Sequence, residues 1–350
     1  GKAEANTALT PFDPDGNDVV QQQLKLNSLS ATVTAAANGN NASLTNSQAD
    51  TVYGGTVSGE IQEASDAAYY LGVDPDQTKL TLDFQANENT VTLHHATIGS
   101  VWGGYTASSE QSSTPIFNSV VLRAMIADPT YYEVSAGSAN DNQVYLDQDA
   151  IVTDLAIGGE AAAGTADRNL LSLNGVSVGP AAGEATPYPV TPIYKRSISP
   201  ASANFTGTLL AGGIAHTGEA SANTVQIKNT TLNSQLTHIL GGWGSTHSDS
   251  NTLDLALAST ADADNQVIVA AGIAEDGHAN DNTLTLTDTA SGTYHTIIGG
   301  LSKNDYPAES TYGASGNTVT ISGITMETSY IDENVADWPV IIGLQSGRAL

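Results

Sequence analysis

Apolar residues recur in steps of two inside one heptamer that the chain writes seven times: NTVTLHH at 89–95, NQVYLDQ at 142–148, NLLSLNG at 169–175, NTVQIKN at 223–229, NTLDLAL at 251–257, NTLTLTD at 282–288 and NTVTISG at 317–323. The shared pattern is Asn-x-apolar-x-apolar. Side chains two apart share one face of a strand, so each heptamer predicts a short strand with an apolar side and a side of Thr, Gln or Asp. The pattern opens at Asn89, Asn142, Asn169, Asn223, Asn251, Asn282 and Asn317.

A second element runs in phase with the first. An apolar run ends in two glycines at Gly54–Gly55, Gly103–Gly104, Gly158–Gly159, Gly212–Gly213, Gly241–Gly242 and Gly299–Gly300, with weaker copies ending at Gly272 and Gly343. The glycines read as a corner that needs φ > 0. From the first glycine to the next Asn is 11 residues (158 to 169, 212 to 223) or 10 (241 to 251). Successive Asn motifs fall 28 and 31 apart at 223, 251 and 282, and 53, 27 and 54 apart from 89 to 223. A period near 28 is a solenoid signal, and the doubled steps read as a lost rung.

A unit this short cannot bury its own apolar face, so units must stack, each strand pairing with its equivalents above and below at about 4.8 Å. The fold class expected is all-β: a right-handed parallel β-helix, 1–350 forming a single segment of about 12 rungs and about 60 Å. The repeated Asn is expected to stack at a turn and bond to the next Asn. Two stretches break the pattern. Residues 180–205 hold five prolines and the basic pair Lys195-Arg196, and 109–137 include FNSVVLRAMIAD, a short helix candidate before Pro129. Proline cannot sit in a central ladder, so both read as insertions. Insertions on solenoids often carry binding, which makes Tyr188, Tyr194, Lys195, Arg196, Tyr131 and Tyr132 the candidate contact residues.

Composition narrows the classes of partner. Thirty-seven acids against ten Lys and Arg give a formal charge of −27. No basic stripe can neutralise a phosphate backbone, so no nucleic-acid partner is expected, and the same sign opposes anionic lipid and sulphated glycans. With no cysteine there is no disulfide framework and no thiolate chemistry. No run reaches the length of a membrane span, so no direct membrane insertion by this segment is expected. The end at GLQSGRAL reads as a cut from a longer chain.

The phased alternation of NT[VL]xL strands with V-x-GG elements such as TVYGGTV and SVWGGYT resembles the repeat units of large bacterial autotransporter passenger domains, over most of 41–345. The resemblance implies a β-helical stalk exported through an outer-membrane barrel outside this segment. It implies an extracellular, cell-surface adhesin or adhesin stalk that is not an enzyme. Host-cell receptors or glycans, other bacterial cells and further copies of itself are the partners it implies. The repeat identifies no functional residues to carry over.

Parallel β-helices also include polysaccharide lyases and hydrolases, which makes a carbohydrate-active enzyme the alternative. Their sites need converging acids with a basic residue, whereas Arg123, Arg168, Arg196 and Arg348 lie far apart. The seven histidines show no helix-borne zinc spacing and read as solvated residues of sheet or loop, and the Ser245–His247 neighbourhood in GSTHS lacks an orienting partner. DPDGND at 13–18 and EDGHANDN at 275–282 leave room for weak structural Ca²⁺ binding, and no other cofactor is expected. Tyr53, Trp102, Tyr105 and Trp243 flank the glycine pairs. Stacking between successive rungs is the preferred account of them, with sugar or protein contact as the second.

Overall fold

The computed structural model describes residues 2–6, 25–57, 78–106, 132–180, 207–234, 236–256, 259–260, 266–287, 293–302, 314–322, 340–342 and 345–346. Among these residues every regular element is a β-strand, arranged in three sheets of six, eight and twelve strands. All pairing is parallel except where Lys2–Asn6 runs antiparallel to Lys25–Ala36. The chain visits the sheets in a fixed order. One coil, for example, runs through Tyr132–Ser138 in the first sheet, Gln143–Asp147 in the second and Ile151–Ala161 in the third. Each strand then pairs with its equivalent one coil before and one coil after, the arrangement of the expected parallel β-solenoid.

The heptamers are the second sheet. Its eight strands, from Asn41–Thr45 to Thr318–Ser322, pair in perfect register, so the two apolar positions form two continuous columns. Val91, Val144, Leu171, Val225, Leu253 and Leu284 make one, and Leu93, Leu146, Leu173, Ile227, Leu255 and Leu286 the other, all no more than 1% exposed. Val101, Ala156, Leu210, Ile239, Val269 and Ile297 face them from the third sheet and complete one core that runs the length of the rod. Burying each such side chain removes its apolar surface from water, worth about 1.5–3 kcal/mol apiece before chain entropy is set against it.

The coil count corrects the expected length. Among the described residues eight coils cross the second sheet, and seven steps of about 4.8 Å place its end strands about 34 Å apart. The 53- and 54-residue intervals hold no missing rung: Asn89 bonds directly to Asn142, and Asn169 directly to Asn223. Within these intervals the described coils end at Thr106 and resume at Tyr132, and end at Pro180 and resume at Gly207. The segment expected as an insertion at 109–137 is therefore a rung from residue 132 onward. The rest of it, including the predicted helix, and 181–205 lie outside the described residues.

The corner between the first and second sheets carries two hydrogen-bonded ladders. In the first, the backbone N–H and Nδ2 of each Asn both donate to Oδ1 of the Asn one coil later, at 2.9–3.1 Å, through Asn40, Asn89, Asn142, Asn169, Asn223, Asn251, Asn282 and Asn317. The second lies two residues upstream and runs the other way. There the backbone N–H of Asn87, Asn140, Asp167, Ser221, Asp249, Asn280 and Ser315 donates to a side-chain oxygen one coil earlier, at 2.5–3.0 Å. Buried amides must find partners, and these ladders supply them from identical positions in the neighbouring coils.

The glycine pairs are not the corner. Those described lie inside third-sheet strands, and none has a positive φ. Glycine is required there because the Asn ladder packs against it: a Cβ on Gly159 would stand 2.6 Å from both amide atoms of Asn169, and one on Gly242 would stand 2.7 Å from Nδ2 of Asn251. The true corner residue precedes the ladder Asn and has φ between 55° and 69° at Gly39, Glu88, Asp141, Arg168, Ala222, Ser250, Asp281 and Gly316. Left-handed backbone at a non-glycine residue is held there by the ladders on either side of it.

Candidate binding surface

The outward-facing side of the third sheet changes character along the rod. Register places its side chains in columns. Thr51 is followed by Ser100, Leu155, Leu209, His238 and Ile268; Tyr53 by Trp102, Ile157, Ala211, Leu240 and Ala270; Thr56 by Tyr105, Glu160, Ile214, Trp243 and Ile273. In the first two coils the columns hold hydroxyls and aromatic rings, and Thr51, Tyr53 and Thr56 are exposed. From the third coil onward they are chiefly apolar, and Leu155, Leu209, Ile214 and Leu240 gather into a second buried cluster. Sheet strands buried on both faces read as continuous apolar runs, as GTLLAGGIA does.

Tyr53, Trp102 and Tyr105 form one cluster on this face. The Tyr53 and Trp102 rings stack with centroids 4.8 Å apart and planes 16° from parallel, a separation equal to the rung spacing. Tyr105 leans against both, 5.7 Å from each. Glu160, one coil further on, fixes the base of the cluster: it accepts the Trp102 indole N–H at 2.6 Å on one carboxylate oxygen and pairs with His216 Nε2 at 2.8 Å on the other. That hydrogen bond raises the His216 pKa. Partial burial, reinforced by the Glu160 charge, raises the pKa of Tyr53 and Tyr105, so both phenols stay neutral.

Rung-to-rung stacking thus accounts for Tyr53 and Trp102, whereas Trp243 stands in the Tyr105 column and donates to Glu275 at 2.7 Å. Tyr53 lies on Gln48–Val57, which pairs with Thr97–Thr106 among the described residues, and is 37% exposed. Neither Tyr53 nor Tyr105 makes a hydrogen bond through its hydroxyl among the described residues.

Of the contact residues expected from sequence, Tyr131, Tyr188, Tyr194, Lys195 and Arg196 lie outside the described residues. Tyr132 opens a first-sheet strand and pairs in register with Leu80. The DPDGND segment also lies outside, while Asn280 and Asn282 of EDGHANDN belong to the two corner ladders. Among the described residues no three His, Cys, Asp or Glu side chains gather as a metal-holding group.

One histidine departs from the solvated state expected of it. His238 is completely buried between Leu209 and Ile268 in the outer column, and neither ring nitrogen has a partner. Burial pushes its pKa down to about 3, so it is neutral. His247 and His278 instead stack on one another at 5.4 Å, in register with Glu219. Comparisons with protein-family models, with curated proteins and with solved structures give no match to this chain.

Proposed function

We propose that the chain is a rod of an extracellular bacterial surface protein, an adhesin or the stalk that presents one, acting without catalysis in attachment to host cells or to other bacteria. The observation that carries this reading is the unbroken ladder. From Asn40 to Asn317 the same side chains repeat at every coil, which makes a stiff, self-supporting scaffold rather than a cleft of converging groups. The acidic balance of 37 to 10 suits a long protein that stays soluble outside a cell. The repeat's resemblance to autotransporter passenger units supports export and anchoring through an outer-membrane barrel beyond this segment.

The test is attachment of beads coated with the 350-residue chain to host and bacterial cells, beside a variant with 181–203 replaced by a short Gly-Ser linker. The proposal expects coated beads to attach above the level of beads coated with an unrelated acidic protein. Loss of attachment in the linker variant assigns contact to that insertion. Coated beads that attach to no cell type would reduce the segment to a spacer.

A further inference from the structure

We infer that His247 and His278 form a binding site for a divalent transition-metal ion, Zn²⁺ or Cu²⁺, which clamps two neighbouring coils together while water fills the remaining coordination positions. This goes beyond the attachment reading and does not depend on it.

Register brings the two rings side by side. His247 bridges in parallel to His278 one coil later and to Glu219 one coil earlier. Backbone bonds hold that register: His247 O accepts the Ala220 N–H at 3.0 Å, and His278 O accepts the Ser248 N–H at 2.8 Å. The coils close tightly just ahead of His278, since a Cβ on Gly277 would collide with the Thr246 carbonyl oxygen. Ala220, Ser248 and Ala279, the residues that follow, are completely buried. Alternation therefore turns Glu219, His247 and His278 outward, where all three are half-buried.

The imidazoles stack with centroids 5.4 Å apart and planes 26° from parallel. Zinc stands about 2.0–2.1 Å from each ligand nitrogen, so two such nitrogens lie at most about 4.2 Å apart. Half-buried rings on neighbouring rungs reach that separation by tilting toward each other, with the backbone in place. Acids beside them favour a cation. Burial raises the Asp249 pKa, the Asn280 N–H and the charges of His247 and His278 lower it, and Glu219 raises it, which puts Asp249 within electrostatic reach of both rings. An ion between the rings would thus meet two carboxylates on a chain of net charge −27.

The donors select the ion. Imidazole nitrogen suits Zn²⁺, Cu²⁺ and Ni²⁺, whereas Ca²⁺ and Mg²⁺ take oxygen ligands. Two protein ligands are fewer than a closed structural site has, so water completes the shell. Only the folded register holds the rings together, so the ion stabilises the rod once its concentration exceeds Kd.

The test is calorimetric titration of the full chain with ZnCl₂ and CuCl₂, with CaCl₂ and MgCl₂ as competitors. A saturable site is expected with Kd below about 100 μM, tighter for Cu²⁺ than for Zn²⁺ and not displaced by Ca²⁺ or Mg²⁺ at about 10 mM. His247→Ala and His278→Ala should each weaken it at least tenfold, while His94→Ala leaves it unchanged. Zn²⁺ should raise the urea midpoint of the parent and of His94→Ala but not that of either site variant. Electron paramagnetic resonance of the Cu²⁺ complex counts the donors without any substitution, and splitting from two imidazole nitrogens is expected. No saturable binding below about 1 mM, displacement by Ca²⁺, fewer than two nitrogens on Cu²⁺, or unchanged binding by either site variant overturns the inference. The stacked rings would then be packing between coils and nothing more.

Discussion

Asp167 occupies a position where Asn140 and Asn280 stand in other coils, and the difference is one ionisable proton. Its carboxylate accepts the Ser221 N–H at 2.7 Å, yet burial, with Glu219 adding to it, raises its pKa to about 6. Between the ordinary value of 3.8 and about 6 the folded chain holds a proton that the unfolded chain has lost. Stability contributed by Asp167 therefore falls as pH rises through that window and stays low above it. Asn140 shows the remedy: its Oδ1 accepts the next backbone N–H while its Nδ2 donates to Thr165 Oγ1, the position that Glu219 takes one coil later. Asp167→Asn should raise the urea midpoint at pH 7.5 and leave it nearly unchanged at pH 4. An equal gain at both pH values would show that ionisation is not the cause. His238 has the opposite sign. From 6.5 down to about 3 the unfolded chain binds a proton that the folded one refuses, so stability falls with acidification by about 1.4 kcal/mol per pH unit. His238→Leu matches Leu209 and Ile268 on either side. It should stabilise the rod by about 1–3 kcal/mol at pH 7 and flatten the acid limb of its urea midpoints between pH 6.5 and 4.

At the scale of the repeating coil, the glycine pair and the Asn ladder are one element seen from two strands. Gly159→Ala drives a methyl group into the Asn169 amide and the Ala139 carbonyl and should cost about 3 kcal/mol in urea unfolding. Gly39→Asn enters a left-handed position with open space around it, where other coils place Glu88, Asp141 or Ala222, and should change stability by less than about 1 kcal/mol. The heptamers were legible because two apolar positions and one Asn recur in fixed spacing, and that alone gives strand, facing side and ladder. The corner was not. Its defining feature is a backbone angle that Glu, Arg, Ala, Ser and Asp all adopt there, so no residue type marks it, and the conspicuous glycines drew the corner to the wrong place. Asn40 escaped notice because its heptamer, NNASLTN, carries Ala42 where the others carry Val or Leu. Nor does anything local separate His238 from an outward, solvated histidine. It belongs to the apolar outer columns of the coils beside it, which only the register reveals.

Across the whole molecule the intervals of 53 and 54 residues looked like doubled rungs because each spans about twice the period of a single coil, yet the ladders on either side of them close directly: Asn89 meets Asn142, and Ser177–Val178 pairs with Thr231–Leu232. What the rod does not escape is its charge. Ten Lys and Arg face 37 acids, and the parallel register brings equivalent positions of neighbouring coils to about 4.8 Å, so like charges stack wherever two coils share an acid, as at Glu88 and Asp141. Arg168 with Asp141 relieves this at one corner, but the pair is partly exposed and contributes little. Repulsion between exposed acids is screened by salt, the Debye length falling from about 30 Å at 0.01 M to about 8 Å at 0.15 M. Unfolding separates the coils and relaxes that repulsion, so added NaCl favours the folded rod. Urea midpoints should therefore rise over this range by an amount on the order of 1 kcal/mol of stability, more at pH 8 than at pH 5, where part of the acid charge is neutralised. A midpoint that fell with salt would mean that the few cross-coil ion pairs outweigh the net charge, and the acidic surface would then be part of what holds the coils together.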